Sequence, residues 1–503
     1  MAGLCAGGSV SVEDWVRACA MEALGVGASA TVTVHGPCEG GAGRGGATVR
    51  ATVRQAVAGP PRPPAPGAEG AAQGGSLPAI VHPVVVLRRH ARDGAEAWFY
   101  RRALAEGQWV DQSAAQERQG GARGGFGAGA PALDPSELAP RVYGVRSVVV
   151  VGDGDGNADG NADGGGGGDG EEEVEVVVED LERVGRRSSG MKLEEALTAV
   201  MYVAHFHHAF SREGPRAAWV EAFHEEQEAQ AGGPWGRRAA GKGVVEAEWG
   251  RIRGALAGVE AVEGRADLGA RLEACRGRLQ ARSGAWDDGV LREDAVLLHG
   301  GCTLRNLWFY EDEESVAGLG CRAAGLAGVG LGRPMQDLAV LFASGVGWKT
   351  QRLAPHLVGA YVEERERLRV LAGGEPRRVE LLIYEMDALV KQLRVCVADY
   401  VLHALDTGLW ASIASKDAVR ARFLDPAAAH EDMCTREPRC LVWTVVEAEG
   451  ALPLLDVPEG ADEDANANLA EFKGFDSSAP PSEMSISDAS DYGTGMEFFA
   501  FSP

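Results

Sequence analysis

The stretch Leu297–Phe309, LLHGGCTLRNLWF, contains the residues whose types and spacing point most directly to chemistry. An apolar run ends at His299, two glycines follow, and Asn306 lies seven residues after the histidine. This spacing is typical of the phosphotransferase catalytic loop H-G-D-x-x-x-x-N, whose aspartate takes the acceptor's proton and whose asparagine binds the metal ion. Here Gly301 occupies the position of the aspartate. The stretch predicts either a catalytic loop without its base or, as the alternative, a simple glycine turn.

Phosphotransfer also needs groups that hold the nucleotide phosphates, and two further stretches offer them. The glycine-rich turn GGAGRGGA, residues 40–47, lies between two alternating segments and would bring backbone N–H groups close to phosphates. Such a turn is weak evidence alone, because the chain has 70 glycines. A strand cation paired with a helical glutamate would hold the α- and β-phosphates. The candidates are Arg88 or Arg89 for the cation and Glu96 for the glutamate.

Hydrophobic periodicity predicts the elements that must position these residues. The first part of the chain alternates with the period of strands and includes one helical segment, whereas the pattern from about residue 190 is helical. This order predicts an α+β fold with two lobes, an antiparallel-sheet N-lobe and a helical C-lobe. The predicted strands are 31–34, 48–53, 80–90, 147–151 and 174–181, the helix among them is 94–107, and Cys440–Ala448 is predicted as a late strand.

Composition divides the chain further. We predict an N-lobe at 1–180, a C-lobe at 181–455 with the catalytic-loop region at 296–340, and an acidic tail at 456–503. Glycine- and proline-rich insertions at about 54–79, 118–130 and 152–172 are predicted to be disordered, as is the tail.

The net charge of −24 is concentrated in two segments. Residues 152–182 carry twelve acidic side chains and no basic one, and residues 456–503 carry eleven acidic side chains and one lysine. The remainder of the chain is therefore nearly neutral. Nucleic acid is not an expected partner because phosphate binding would need a basic face. The acidic tail is a candidate site for a protein partner.

The apolar runs and the cysteines of the sequence predict where the protein is located. No apolar run reaches the length of a membrane span, and we expect no secretory signal, because the N-terminal residues lack a basic region followed by a clean apolar stretch. The nine cysteines are scattered and form no C-x-x-C pair. These features indicate a cytoplasmic protein with free thiols and no membrane partner.

Three histidines in the predicted helix KLEEALTAVMYVAHFHHAF form a separate cluster: His205, His207 and His208. They would suggest a metal site if they converged. Adjacent helical residues point apart, however, and no cysteine or carboxylate set accompanies them. We therefore predict packed or hydrogen-bonded histidines.

Taken in order, these stretches resemble the choline-kinase-like and ecdysteroid-kinase-like proteins of the aminoglycoside phosphotransferase superfamily. The resemblance covers about residues 10–410 and depends on the order and spacing of several motifs. They are EAWFY, VVVEDL, VAHFHHAF, LLHGGCTLRNLWF and GLGRPMQDLAVLF.

The resemblance implies a role for individual residues. Asn306 would be the catalytic-loop residue that binds the metal, with His299 beside the catalytic position, and Asp337 would brace that loop in a structural role. Residues 178–181, including Glu179, would lie at the adenine hinge. The remaining cofactor-binding positions would be Gly41, Gly43 and Gly46 in the phosphate-covering loop, Arg88 in place of the nucleotide-binding lysine, and Glu96 as its partner.

Three departures from the family pattern weigh against the usual chemistry. Gly301 replaces the base, arginine replaces lysine, and Gly325 stands where the family has its metal-binding aspartate, with Gly320 as the other candidate for that position. Mg²⁺ prefers hard oxygen ligands in octahedral geometry, and glycine supplies no side chain. ATP and Mg²⁺ are the cofactors that the resemblance implies, and the substitutions argue against both.

Three functions remain open at this point. The first is a catalytically impaired kinase-like protein that binds a nucleotide, a small molecule or a protein. The second is an active ATP-dependent kinase that phosphorylates a hydroxyl of a small metabolite and uses displaced carboxylates, with Asp294 or residues 311–314 as candidates. The third is an interaction protein whose acidic segments are the working parts.

Overall fold

The computed structural model describes eleven segments of the chain, together with a few single helical positions between residues 250 and 273. The chain divides into two compact units, Met1–Leu452 and Pro453–Pro503. The elements that position the candidate site belong to the first unit. The described segments are 11–23, 31–37, 48–56, 79–90, 94–105, 138–140, 142–150, 171–227, 295–312, 318–406 and 438–455.

A five-stranded antiparallel sheet forms the first part of the fold, in the order β1-β2-β3-β5-β4. The valines at alternate positions, such as Val84 and Val86 on β3, point into a core that helix α1 covers with Trp15 and Val16. This is the burial expected where one face of a sheet packs on a helix. The elements are α1 (Val12–Ala23), β1 (Thr31–Pro37), β2 (Thr48–Ala56), β3 (Ala79–His90), α2 (Gly94–Ala105), β4 (Val142–Val150) and β5 (Glu171–Glu179).

Helices dominate the rest of the described chain. Helix α3 packs against α7, α5 packs against α8, and the consecutive helices α7 and α8 pack on each other across the short connection 372–378. The helices are α3 (Leu193–Ala209), α4 (Ala217–Gln227), α5 (Met335–Gly345), α6 (Trp348–Gln351), α7 (Ala354–Leu371), α8 (Val379–Asp406) and α9 (Pro438–Leu455).

Two small antiparallel strand pairs carry the loops of the candidate site. Strand β6 (Val296–Leu298) pairs with β9 (Gly330–Gly332), and β7 (Leu307–Glu311) pairs with β8 (Leu319–Ala323). Short 3₁₀ turns at Leu304–Asn306 and Leu326–Gly328 follow β6 and β8 respectively. The residues between β6 and β7 and those between β8 and β9 therefore approach each other.

The mixed antiparallel-sheet and helical content confirms the predicted α+β class. Some boundaries differ, because β2 continues to Ala56 and β5 begins at Glu171, inside segments that we expected to be disordered. Most of the predicted insertions, and the tail from residue 456 on, fall outside the described residues. None of the described helices is long and apolar enough to cross a bilayer. Five of the described cysteines are buried and form no disulfide: Cys19, Cys302, Cys321, Cys396 and Cys440.

The predicted strand at Cys440–Ala448 is wrong, because this segment belongs to helix α9. Its β-branched and aromatic residues favour a strand. The fully buried residues Cys440, Thr444, Ala448 and Ala451 nevertheless recur every three or four positions, which is the period of one helix face. Tertiary packing of that face outweighs the local β-propensity.

Candidate functional site

The catalytic-loop stretch runs from the end of β6 to the start of β7. All three residues of β6 are buried, and the Leu297 amide donates to the carbonyl of Phe210 just after α3. His299 follows directly and is 0% exposed. The loop therefore starts from an anchored point in the core.

Asp337, in the first turn of α5, holds the beginning of this loop. Its Oδ2 accepts from the backbone N–H of His299 at 2.7 Å, and its Oδ1 accepts from that of Gly300 at 2.8 Å. The carboxylate is 1% exposed. These contacts are the ones expected of the loop-bracing aspartate that the resemblance implies.

His207 of α3 completes the support on the far side of Asp337. Its Nε2 lies 3.0 Å from Asp337 Oδ2, and its Nδ1 lies 2.9 Å from the hydroxyl of Tyr361 on α7. Both ring nitrogens are therefore hydrogen-bonded, as we predicted for a packed histidine. Since Asp337 can only accept when ionised, Nε2 carries the proton and Nδ1 accepts from Tyr361.

The charges of this network follow from burial and hydrogen bonding. Burial lowers the pKa of His207, against the opposing effect of Asp337, and keeps the ring neutral. Burial alone would raise the pKa of Asp337, but the hydrogen bonds from His207 and the Gly300 amide hold it below its ordinary value. Burial raises the pKa of Tyr361 to about 12. The network therefore consists of the ionised Asp337 carboxylate and the neutral groups of His207 and Tyr361.

His299 itself faces the aromatic core. Its ring lies edge-on to Phe206 and Tyr202, with centroids 5.6 and 6.2 Å away, and its Nδ1 accepts from the Gly301 amide at 3.2 Å. Burial lowers the pKa of His299 to about 4. A fully buried, neutral ring fits a residue that positions the loop better than one that touches a substrate.

Asn306, Gly301 and Gly325 converge on one point. The Asn306 Nδ2 donates to the carbonyl of Gly301 at 2.8 Å. A Cβ placed on Gly325 would lie 2.7–2.8 Å from three atoms of the Asn306 side chain, and one placed on Gly301 would lie 2.5 Å from the Gly325 carbonyl oxygen. The three positions to which the resemblance assigns base and metal ligands are therefore in mutual contact.

The structure also separates the two candidates for the metal position. Gly320 pairs with Tyr310 across β7 and β8, and a Cβ on Gly320 would lie 2.2 Å from the tyrosine ring. Gly325 has a left-handed backbone with φ of +78° and lies beside Asn306. Of the two positions, Gly325 is therefore the one adjacent to the catalytic-loop asparagine.

Glycines allow the two site loops to touch through their backbones. Gly300 has φ of +69°, and a Cβ there would lie 1.7 Å from the carbonyl oxygen of Gly328. A Cβ on Gly328 would in turn lie 2.4 Å from the carbonyl oxygen of Gly300. Only residues without a Cβ permit this approach. Helix α2, which carries the buried Glu96, also packs on the Leu326–Gly328 turn.

These residues do not fit a Mg²⁺ ion. Two of the three converging positions are glycines, and the third supplies a neutral amide whose nitrogen already donates to Gly301. Among the described residues there is no group of three or more Asp, Glu, His or Cys side chains arranged to hold a metal ion. Mg²⁺ needs hard oxygen ligands, and Asp337 is occupied by the loop amides. No catalytic step through a metal ion follows from this donor set.

The other residues predicted to bind a cofactor lie on different strands or outside the described residues. Arg88 and Arg89 lie on β3, paired through their backbones with Glu175 and Val174 of β5, and their side chains fall outside the described residues. Glu179, at the end of β5, accepts from Arg322 of β8 at 3.0 Å, and both side chains are mostly buried. The phosphate-loop candidates Gly41, Gly43 and Gly46 also fall outside the described residues.

Sequence reasoning missed three residues around the site. The roles of His207 and Tyr361 depend on contacts between α3, α5 and α7, and no short sequence motif indicates these contacts. The predicted helix KLEEALTAVMYVAHFHHAF gave one signal for His207, because its histidines were predicted to be packed or hydrogen-bonded. Arg322, which joins β8 to the end of β5, had no signal at all.

Comparisons with known proteins give a limited result. No protein-family model and no curated protein matches the chain. One similar solved structure is a microcompartment-associated aminopropanol kinase, with 13% identity, a TM-score of 0.34, and coverage of 88% of this chain and 96% of that one. Another is a type VIII aminoglycoside-3'-phosphotransferase, with 15% identity, a TM-score of 0.23, and coverage of 61% and 85%. TM-scores this low do not establish a common fold.

Proposed function

We propose that this chain is a kinase-like protein of the small-molecule phosphotransferase type that does not carry out Mg²⁺-dependent phosphoryl transfer. The observation that carries the proposal is the mutual contact of Gly301, Asn306 and Gly325. A phosphotransferase places its base and metal ligands at such a junction, and here the junction is built from backbone and one amide.

Two features of the loop support the kinase-like part of the proposal. His299 and Gly300 are fixed by a buried aspartate from the next helix, in the arrangement that the resemblance implies. A five-stranded antiparallel sheet precedes helices α3 to α9, and the end of β5 overlaps the segment 178–181 proposed as the hinge. We also propose a two-lobed arrangement and a relationship to the choline-kinase-like proteins.

Two features support the proposal that the protein is catalytically impaired. Loss of a general base alone typically lowers the rate by about 10²–10⁴. The missing metal ligands add to this, because Mg²⁺ neutralises the charge that develops on the transferring group. The space for replacement side chains is also small, since a Cβ at either glycine would collide with the facing loop.

The proposal predicts that Mg²⁺ and ATP together give no more thermal stabilisation than ATP with EDTA, and that ATP turnover equals the buffer rate. Binding of ATP without metal would be compatible with it. The two readouts separate a nucleotide-binding scaffold from a catalyst, and adding a panel of amino alcohols tests for an acceptor.

The alternative is an active metabolite kinase with displaced carboxylates, and Asn306 distinguishes it. If the protein turns over ATP, and Asn306→Ala abolishes the turnover while Arg305→Ala at the exposed neighbouring position does not, the alternative is correct and the proposal is wrong. The retained Asn306 and the braced loop are the observations that favour this second function.

A further inference from the structure

Trp308, near the start of β7 and two residues after Asn306, has an arginine over its ring. Arg186 exchanges two backbone hydrogen bonds with Phe309, both at 2.8 Å, so the chain around residue 186 runs antiparallel beside β7. Arg187 is therefore the cross-strand neighbour of Trp308, and such neighbours lie on the same face. The guanidinium carbon of Arg187 lies 4.6 Å from the centroid of the Trp308 ring. A planar cation thus covers one face of the indole.

The face that carries Trp308 is directed towards the proposed hinge. Trp308 pairs with Arg322 across β7 and β8, so Arg187, Trp308 and Arg322 form a row. Both arginines of this row bind carboxylates of the hinge region. Arg322 donates to Glu179 at 3.0 Å, and Arg187 donates to Glu182 at 3.0 Å. The row therefore lies against the segment beside which, under the proposed function, the base of a nucleotide would bind.

A third arginine reaches the hinge carboxylates from the sheet. The Nε of Arg50, on β2, lies 2.7 Å from Asp180 Oδ2, and Arg50 also pairs with Glu182. The Asp180 side chain is 2% exposed. Glu182 is thus shared between Arg50 and Arg187. Removal of Arg187 would therefore leave Glu182 paired, and a variant at position 187 is expected to fold.

The covered face of Trp308 is suited to a flat ring. The indole is 7% exposed, and its Nε1 donates no hydrogen bond to any described residue. Nucleobases stack on aromatic side chains, and the planar guanidinium of arginine stacks on them as well. The Arg187 side chain is 25% exposed, and burial lowers its pKa against the opposing effect of Glu182. Cation–π attraction is stronger for a cation partly withdrawn from water, so Arg187 competes effectively for this face.

We propose that Arg187 occupies the position of a nucleobase on Trp308 and excludes the base from it, a proposal that rests on the proposed function for the place of the hinge. A base could stack there only after Arg187 gave up its contacts with both Trp308 and Glu182. The apparent affinity for the base is then reduced by the fraction of molecules in which the ring is uncovered. Adenosine is the appropriate probe, because it carries a base but needs neither a phosphate site nor a metal ion.

Calorimetric titration of the full chain with adenosine tests this. Arg187→Ala should bind adenosine at least tenfold more tightly than the natural chain. The double variant Arg187→Ala/Trp308→Leu should lose this gain, because the stacking ring is absent. Arg394→Ala is the matched control, since Arg394 also donates to a glutamate, Glu447 at 3.1 Å, but joins α8 to α9. This control should bind adenosine no better than the natural chain.

Circular dichroism shows whether each variant is folded, and Arg187→Thr is the second variant if Arg187→Ala is not, because threonine suits the strand-like pairing of this segment. Three results would overturn the proposal: a natural chain that binds adenosine as tightly as the folded Arg187 variant, a folded Arg187 variant that gains no binding, or a gain that survives Trp308→Leu. Adenosine binding by the natural chain without ATP turnover contradicts only this proposal. Mg²⁺-dependent ATP turnover by the natural chain contradicts the proposed function itself.

Discussion

The carboxylate of Asp337 accepts from both backbone amides at the start of the loop that begins at His299, and Asp337→Asn tests whether the conformation of this loop depends on that carboxylate. The carboxylate accepts three hydrogen bonds, from the amides of His299 and Gly300 and from His207 Nε2, at 2.7, 2.8 and 3.0 Å. Asparagine has nearly the same shape but offers one acceptor oxygen and one NH₂ group. The variant therefore removes acceptor capacity and charge while leaving the packing intact.

Neither orientation of the new amide satisfies all three donors. With its oxygen towards His299 and His207, the NH₂ group faces the Gly300 N–H. With its oxygen towards Gly300, the NH₂ group can donate to His207 after a tautomer change, but the His299 amide loses its acceptor. One buried amide is unsatisfied either way, at about 1–3 kcal/mol, and the remaining bonds lose roughly 1 kcal/mol of charge assistance. We expect Asp337→Asn to lower the free energy of unfolding by about 2–4 kcal/mol.

Urea denaturation of the full chain, followed by tryptophan fluorescence, measures this change. Asp387→Asn is the matched control, because Asp387 is 61% exposed and pairs with Lys391 within one helix; its effect should stay below about 0.5 kcal/mol. The lowered pKa of Asp337 means that its charge stabilises the fold above the ordinary aspartate pKa and ceases to do so as the pH falls through the lowered value. The gap between natural chain and variant should therefore close in strong acid. A variant that is no less stable than the control would refute the bracing role.

Two further predictions concern the same loop. Gly300→Ala should lower the free energy of unfolding by about 2–4 kcal/mol, because its Cβ would lie 1.7 Å from the Gly328 carbonyl oxygen. The control Gly318→Ala has a φ of +66° but nothing within 4 Å, so it should cost only about 1 kcal/mol of left-handed backbone strain. Equal effects of the two substitutions in thermal denaturation would contradict the backbone contact. His299, with its pKa lowered from 6.5 to about 4, should contribute stability that is complete above pH 6.5 and is lost as the pH falls towards 4, by roughly 3 kcal/mol. His299→Asn should flatten that part of the stability–pH curve, and an unchanged curve would show that the ring is not the buried neutral group described above.

The parts of the fold that the sequence predicts correctly are those that leave a pattern within one segment of the chain. Alternating valines such as Val84 and Val86 predict strands, and the apolar stripe of α3 predicts a helix, because one buried face imposes its period on the sequence. The catalytic-loop motif is also local, since His299 and Asn306 are held by one short turn. The predicted strand at Cys440–Ala448 was wrong because local propensity favours a strand there, whereas tertiary packing favours a helix.

The parts that sequence could not predict depend on contacts between distant segments. The bond between His207 and Asp337 joins α3 to α5 across 130 positions, and Glu179 and Arg322 are 143 positions apart. The choice between Gly320 and Gly325 needed the β7–β8 pairing, which places the first beneath Tyr310 and the second beside Asn306. A motif gives the order of such residues along the chain but not the register that brings them together.

The proposed function gives Gly301 and Gly325 a second consequence, which concerns whether aspartates could be introduced at these positions. If Gly301 and Gly325 were only missing side chains, aspartates placed there would restore the lost ligands. However, Gly301 lies against the Gly325 carbonyl, and the Asn306 side chain lies only 2.7–2.8 Å from the position that a Cβ on Gly325 would take. Restoration would therefore require the two loops to separate and Asn306 to turn. Under the proposed function, the absence of carboxylates at Gly301 and Gly325 and the contact between the two loops are one feature, because only residues without a Cβ permit that contact.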